Sequence, residues 1–551
     1  MVIALATCTS AFAREIALRP VMSALATPGV PLLWADIPTV DHMKGIARIT
    51  PQEPYQWVVD PGKPFAVTVA ADAKSGADRC VLTVWNWSRT PVAQAALGVP
   101  CEEPFTFAVE GRGTYLLTLD LFAGDKCIAR LPRSFSVCPS NAAKRATFGG
   151  DQFFIGTCSY PDRQHWTNDY GPAFPPGLTE QQSREIEAGL TARLGMQVVR
   201  VGPLGYWFDE VKPMDFDRAD ACVNTLAARG LKLDLQIGNG FDWMIKDRYR
   251  DVKDPKWRYP PREEPIRKYT HAVVERYAKY AKFIEVNNEP DNKDFWRGTP
   301  EEFVEYTRAV IDEIRKTAPG VPIANGGLCF IEPMWTGIIV KGIRGLTDLQ
   351  AYHSHGDCAA ITAAFGTMQA VHAAAGYDKP QFVNTEMGYA AWRLDVEREM
   401  AATAAQKVLY CWAHGHRGAL LYCSRDIGGP RGGDWGYLDY TFCPRFMYGA
   451  IAAIVDNYAG ARFSRVITES PRLHAYEFTA EGKRLVALFA PDNNERSVTL
   501  ETDAAAATLL DPMGNPTTIV DPKRITVTAQ YYPQTLVLDR ATQVTVKEGA
   551  G

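Results

Sequence analysis

The sequence predicts an α/β fold: a (β/α)8 TIM barrel with an N-terminal β-sandwich and a C-terminal β domain. Three observations predict it. Between residues 149 and 459, eight apolar runs alternate with helical patterns, the rhythm of a parallel barrel. On either side of that stretch the helical period stops and short strand-like runs take over. Two of the eight runs deliver a glutamate at their C-terminal end, where a barrel gathers its chemistry.

In chain order, residues 1–13 form an apolar, small-residue run that closes on Ala11-Phe12-Ala13 before Arg14. This resembles the end of a signal peptide with an A-x-A cleavage site, though without a basic leading region. A secreted or periplasmic location is the corresponding expectation, and a start upstream of Met1 stays open. Residues 14 to about 40 read as an irregular lead-in with Pro20, Pro28 and Pro31. Residues 41–148 read as the sandwich, with Phe65–Val69, Cys80–Trp85 and Thr114–Leu119 as its clearest strands. The barrel strands are expected at Phe153–Tyr160, Met196–Gly202, Leu231–Gly238, Phe283–Glu289, Pro322–Cys329, Leu346–His355, Gln381–Glu386 and Gly418–Arg425. Helices lie between them. Thr299-Pro300-Glu301-Glu302 is a capping box with proline at the first helical position, and Phe303, Tyr306, Val310 and Ile314 follow on one face. Thr179 to Leu194 is a second helical pattern, closed by Gly195. Residues 460–551 return to strands at Leu473–Thr479, Arg484–Ala490, Ser497–Thr502, Ala507–Leu510 and Leu536–Leu538.

The 551 residues are enough for two to four domains. A formal net charge of -4 leaves no electrostatic footprint for nucleic acid. No run reaches the roughly 18 apolar residues of a membrane helix. The twelve cysteines contain no C-x-x-C pair and no zinc spacing. Cys80, Cys101, Cys127 and Cys138 fall in one β region and are open to one or two disulfides.

The run Phe283-Ile284-Glu285-Val286-Asn287-Asn288-Glu289-Pro290 is a buried strand stopped by a proline, which has no N–H for the ladder. Glu289 is left at the strand's mouth. Gln381-Phe382-Val383-Asn384-Thr385-Glu386-Met387-Gly388 repeats the device and delivers Glu386. Paired carboxylates suit acid–base and nucleophilic work on one bond. Asn288-Glu289-Pro290 and Thr385-Glu386-x-Gly388 resemble the acid/base and nucleophile motifs of the clan A glycoside hydrolases, nearest to family 39 and its relatives. Those enzymes place the acid/base after strand four and the nucleophile after strand seven, the positions that Glu289 and Glu386 take in the strand count. The resemblance implies a retaining hydrolase of β-linked glycosides, with an oligosaccharide or polysaccharide as substrate and no cofactor. A non-catalytic carbohydrate-binding barrel and a transglycosidase with the same residues are the alternatives.

Further candidates follow from position. Arg200 is a charge inside an apolar strand and needs a buried partner. The resemblance implies that it holds the nucleophile, and an ion pair with Glu285 is the alternative. The resemblance also implies that Asn288 meets a sugar 2-hydroxyl. Tyr352-His353-Ser354-His355 ends strand six, with both histidines on one face. They suit sugar hydroxyls or a bond to the nucleophile; no third ligand stands at a useful spacing, so no metal is expected. Tyr352, Trp207, Asn239 and Trp243 are candidates for substrate contact, the last three being equally suited to loop packing. Clan members often carry a tryptophan at the end of strand eight. Here Tyr422-Cys423-Ser424-Arg425-Asp426 stands there, with Asp434-Trp435 on the next loop as a substitute platform. Arg425 suits an anionic sugar, or a pair with Asp426 or Asp434.

Overall fold

Eight parallel strands lie where eight apolar runs are expected. They are β1 (Phe154–Cys158), β2 (Val198–Val201), β3 (Lys232–Ile237), β4 (Ala281–Asn288), β5 (Ile323–Gly327), β6 (Gln350–His355), β7 (Phe382–Gly388) and β8 (Gly418–Leu421). The computed structural model describes residues 14–18, 45–159, 175, 177–391, 396–426 and 434–548. The sheet order is β5-β4-β3-β2-β1-β8-β7-β6. Parallel bridges Ala324–Leu349 and Leu328–Tyr352 join β5 to β6 and close the ring. One layer of side chains fills the interior: Phe154, Val198, Phe283, Ala324, Leu349, Ala351, Val383 and Leu420. The lumen is therefore a packed core, and chemistry is confined to the strands' C-terminal ends.

The helices begin where local chemistry starts them. Thr179 and Thr299 each close a capping box, ahead of Glu180–Leu194 and Pro300–Thr317, and Pro300 takes the first turn. Gly195 ends the first of these with φ 99°, a left-handed turn that glycine adopts without cost.

The chain divides into two compact units, residues 1–139 with 443–449, and residues 140–442 with 450–551. The first is the sandwich. One sheet holds Ala47–Pro51, Phe65–Ala71 and Cys101–Val109; the other holds Val58–Val59, Arg79–Trp85, Pro91–Gly98, Gly113–Ala123 and Lys126–Val137. Phe65, Phe107, Phe135 and Tyr115 stack between them, Phe65 and Phe135 with centroids 4.2 Å apart. One expectation is corrected here: Arg14–Leu18, read as irregular, is a strand parallel to Phe105–Val109. The leader-like residues 1–13 lie outside the described residues. All four sandwich cysteines carry free thiols.

The second unit contains the barrel and the C-terminal strands, which the sequence separates at residue 460. Trp412, on the helix before β8, packs edge-on against Phe478 at 4.8 Å, and Thr403 is hydrogen-bonded to the Tyr531 hydroxyl at 2.7 Å. Four strands there escape the sequence pattern: Arg462–Glu469, Pro516–Ile519, Arg524–Ala529 and Val544–Glu548. The first has no buried position and the second none either, so neither carries an apolar period to detect.

Candidate active site

Strict alternation along β4 and β7 would not bring the site together. On β7, Val383 joins the barrel core and Thr385 donates to Glu285 at 3.1 Å, so both face inward. Glu386, next in line, should face out. The pairing with β6 slips there: Tyr352 opposes Asn384, but His353 opposes Glu386. The extra residue is Thr385, and this bulge turns Glu386 inward as well. On β4, Asn287 has φ 80° and Glu289 has φ 43°, left-handed values rare outside glycine. That kink puts Asn288 on the same side as Glu285, three residues earlier, where alternation would oppose them. Strained backbone of this sort persists where surrounding contacts fix it.

Arg200 on β2 is the hub. It donates from Nε to Glu285 Oε2 at 2.6 Å, from Nη1 to Glu386 Oε1 at 2.5 Å, and from Nη2 to Asn288 Oδ1 at 2.7 Å. Glu285 also accepts from the Gly327 amide at 2.8 Å. Both partners weighed for Arg200 are thus present at once, Glu285 below and Glu386 above.

His353, fully buried, lies between the two strand-end glutamates. Its Nδ1 is 2.8 Å from Glu289 Oε1 and 3.6 Å from Glu386 Oε2. His355 Nε2 is 3.5 Å from the same Glu386 oxygen. The Asn292 amide donates to Glu289 Oε2 at 2.8 Å. Burial pushes the Glu386 carboxyl up, but His353, Arg200 and His355 outweigh it and hold it at about 2. Burial likewise pushes Glu289 up, and the bond and charge of His353 bring it below its ordinary value. Burial pushes His353 down, and Glu386 and Glu289 outweigh that and raise it. The two opposite shifts favour a proton on the imidazole side of the Glu289–His353 contact.

Each of Glu289, His353, His355 and Glu386 offers a ligand atom, and these four atoms lie within 4.8 Å of one another. The fold supplies the third and fourth donors that the H-x-H spacing lacks in sequence. The carboxylates, however, already find countercharge in Arg200 and His353, an arrangement suited to proton transfer.

Several candidates are corrected. Tyr352 points outward: it is fully buried, stacks on Phe365 and is hydrogen-bonded to His416 Nε2 at 2.8 Å. Trp207 donates to the Lys212 carbonyl at 2.9 Å and packs on Trp243, whose own N–H donates to the Trp207 carbonyl. Asn239 donates to the Phe295 carbonyl at 2.6 Å and accepts from Asn287. These three are loop packing. Arg425 is fully buried and pairs with Glu187 at 3.1 Å, so it offers no charge to an anionic sugar. Trp435 does reach the site, with its ring 5.4 Å from His355, and the carbonyl of Asp434 anchors it to the Ala391 amide.

Other residues escape sequence reasoning. Tyr422, half-buried, lies 5.7 Å from both His355 and Trp435, at the place where the clan's tryptophan is expected. Gly388 makes room for Trp435, because a Cβ there would come within 2.7 Å of its ring. Gly327 does the same for His353. Lys407 ties the mouths of β6 and β7 by donating to the carbonyls of Ser354 and Gly388 at 2.9 and 3.3 Å. Signals existed for Tyr422, which stands at the end of strand eight, for Gly388, which belongs to the Thr385-Glu386-x-Gly388 motif, and for Gly327, on the strand paired with β4.

A TIM barrel with paired carboxylates at the ends of β4 and β7 is the class that fold and site define. Among solved structures, the fold is shared with a family 39 glycoside hydrolase from the gut symbiont Bacteroides cellulosilyticus WH2, at TM-score 0.66 and 16% identity over 89% of this chain and 100% of that one. A β-xylosidase of the same family from Caulobacter crescentus matches at TM-score 0.49 and 14% identity, over 73% of this chain and 97% of that one. The family 39 enzyme from Xanthomonas axonopodis pv. citri matches at TM-score 0.49 and 11% identity, over 71% and 94%. No protein-family model and no curated protein matches the sequence. The resemblance to family 39 thus holds at the level of fold.

Proposed function

We propose that this chain is a retaining glycoside hydrolase that cleaves β-linked glycosides by double displacement. One observation carries the reading. One carboxylate oxygen of Glu289 and one of Glu386 lie within 4.8 Å of each other, at the mouths of β4 and β7. So close an approach is nearer to the roughly 5–5.5 Å carboxyl separation of retaining enzymes than to the roughly 6.5–9.5 Å of inverting ones. The shared fold of a family 39 glycoside hydrolase supports the same class.

In this mechanism Glu386, ionised and fixed by Arg200, attacks the anomeric carbon and forms a covalent glycosyl-enzyme. Glu289 takes the shared proton from His353 Nδ1 and passes it to the leaving oxygen. Once Glu386 is esterified, one of the charges that raised His353 is gone. Glu289 then acts as base and activates water. Asn288 is held by Arg200 toward the cleft, where it suits the 2-hydroxyl. Tyr422 and Trp435 provide the apolar face for the sugar ring. An oligosaccharide or polysaccharide substrate, met outside the cytoplasm in a secreted or periplasmic setting, belongs to the same proposal. Among the described residues no helix is long and apolar enough to cross a membrane.

The test is an asymmetry between two variants. Glu386→Gln should lose nearly all turnover on every glycoside. Glu289→Gln should keep the first step for an activated aryl leaving group and lose it for an alkyl one. Its stalled intermediate should give a burst of aryl product, and azide should release it as the β-glycosyl azide. Equal losses for good and poor leaving groups would sink the acid/base assignment, and exchanged signatures would reverse the roles.

A further inference from the structure

The sandwich holds a feature that glycoside chemistry does not use. Cys80 lies in Arg79–Trp85, opposite Leu97 and Leu121 of its own five-stranded sheet. Cys101 opens Cys101–Val109, opposite Ala71 of the other sheet. The chain leaves one sheet at Gly98 and enters the other at Cys101, so the two thiols meet where the backbone crosses between layers. Their sulfur atoms are 3.7 Å apart, in van der Waals contact. Cys80 is fully buried and Cys101 is half-buried. Cys127 is engaged elsewhere, with its thiol donating to the Ala129 carbonyl at 3.6 Å.

We propose that Cys80 and Cys101 form an oxidation site, a thiol pair that closes into one inter-sheet disulfide by exchange with a small-molecule or carrier disulfide. The exposure difference orders the step. The Cys101 thiolate attacks one sulfur of the incoming disulfide, which releases one thiolate and leaves a mixed disulfide on Cys101. The Cys80 thiol, pushed up by its bond to Cys101 and by burial, reacts second: it attacks the Cys101 sulfur and passes its proton to the second thiolate as that is expelled. The protein gives up two electrons and two protons, and the incoming disulfide becomes two thiols. The bond to Cys80 lowers the Cys101 thiol to about 7, which supports its role as the attacking group. Closure must bring the sulfurs from 3.7 Å to the roughly 2.05 Å of a disulfide bond. The closed link would tie together two residues 21 positions apart in sequence, one on each sheet.

The experiment uses the whole chain, prepared reduced and then equilibrated with oxidised glutathione. Free thiols are alkylated in denaturant, and the peptides are mapped by mass. The expected result is that two of the twelve cysteines resist alkylation until reductant is added, with Cys80 linked to Cys101. Dithiothreitol should then lower the first thermal midpoint by ~5 °C or more. In Cys101→Ser that midpoint should not respond to dithiothreitol. Alkylation of all twelve, glutathione retained on Cys101 without ring closure, or a link from either residue to Cys127 or Cys138 would each overturn the proposal. None of these outcomes depends on glycosidase activity, so the two proposals fail separately.

Discussion

The sandwich and the barrel each bury an arginine among carboxylates, and they do it differently. In the sandwich, Arg130 and Asp120 are direct cross-strand partners. Arg130 donates from Nε and Nη2 to the two Asp120 oxygens at 2.5 and 2.9 Å, and both residues are almost fully buried. Here one cation meets both oxygens of one anion. In the barrel, Arg200 serves Glu285, Glu386 and Asn288 at once, and His353 bridges Glu386 to Glu289. Arg200 and His353 face three glutamates, so the acids beside the cleft outnumber these two partners. A bidentate pair stabilises one geometry. An open set with surplus acids stabilises a cation that arrives later, which is what an oxocarbenium-like transition state requires.

The largest expected effect breaks both hubs in parallel. Arg200→Met and Arg130→Met each leave a buried carboxylate without its partner, at about 3–5 kcal/mol of stability. Urea unfolding should register both. Only Arg200→Met should also lower kcat, by ~10²-fold or more, because its anions include Glu386, the proposed nucleophile. Comparable losses of kcat in the two variants would erase the distinction between a structural pair and a working network.

The second prediction concerns the shared proton. In the wild type, the basic limb of kcat/KM reports loss of the proton held by His353 and Glu289 together, with His353 raised above its ordinary value. His353→Gln leaves that proton to Glu289 alone. A carboxyl gives it up at lower pH than a raised imidazolium, so the basic limb should move toward acid. An unmoved limb would mean that His353 only packs. No such shift is expected for a histidine outside the site, such as His271, which lies among exposed groups of the helix layer.

How much of this was legible follows from the same residues. The eight strands were readable because each is an apolar run between breakers, and the two catalytic candidates because each ends such a run. Tyr352 shows where the reading stopped. Period-2 alternation correctly put it opposite His353, yet its proximity to the motif made it a site candidate. The bulge at Thr385 and the left-handed Asn287 were invisible, since neither residue type announces a slipped register. Arg425 was misplaced because its partner, Glu187, lies on a helix more than two hundred positions earlier. Surface strands such as Arg462–Glu469 had no apolar period at all.

A smaller effect tests the aromatic platform. In Gly388→Ala the new Cβ meets the Trp435 ring at 2.7 Å and must displace it. KM should rise by about tenfold, equivalent to ~1.4 kcal/mol of binding, with a lesser change in kcat. Gly366→Ala is the control. A Cβ there meets nothing within 4 Å, and the site is a helix interior, so stability should rise by a few tenths to about 1 kcal/mol with kinetics unchanged. An unaltered KM in Gly388→Ala would remove Trp435 from the sugar subsite.

The smallest effect is expected at Asp234, the remaining acid beside Arg200. It is fully buried, its nearest contact with the guanidinium is 3.6 Å from Nε, and Glu285 crowds it. Burial first, and the Glu285 charge second, push its carboxyl well above the ordinary range, against the pull of Arg200. The direction of that shift favours the protonated carboxyl, and the prediction is that Asp234→Asn exchanges one neutral group for another of the same shape. Turnover should stay within about twofold. The stability consequence has a definite sign. A carboxyl raised on folding contributes stability that is fully present below its unfolded pKa, near 4, and is lost as pH rises through the folded value. Asparagine does not titrate, so the difference in unfolding free energy should move in favour of Asp234→Asn as pH rises from 4 to 8. Burial also raises the Asp120 carboxyl of the sandwich, against the pull of Arg130, so the stability difference for Asp120→Asn should drift in the same direction as pH rises. If Asp234→Asn instead lost stability and turnover together above pH 4, Asp234 would be a working anion of the Arg200 network, and the count of charges facing the cleft would have to include it.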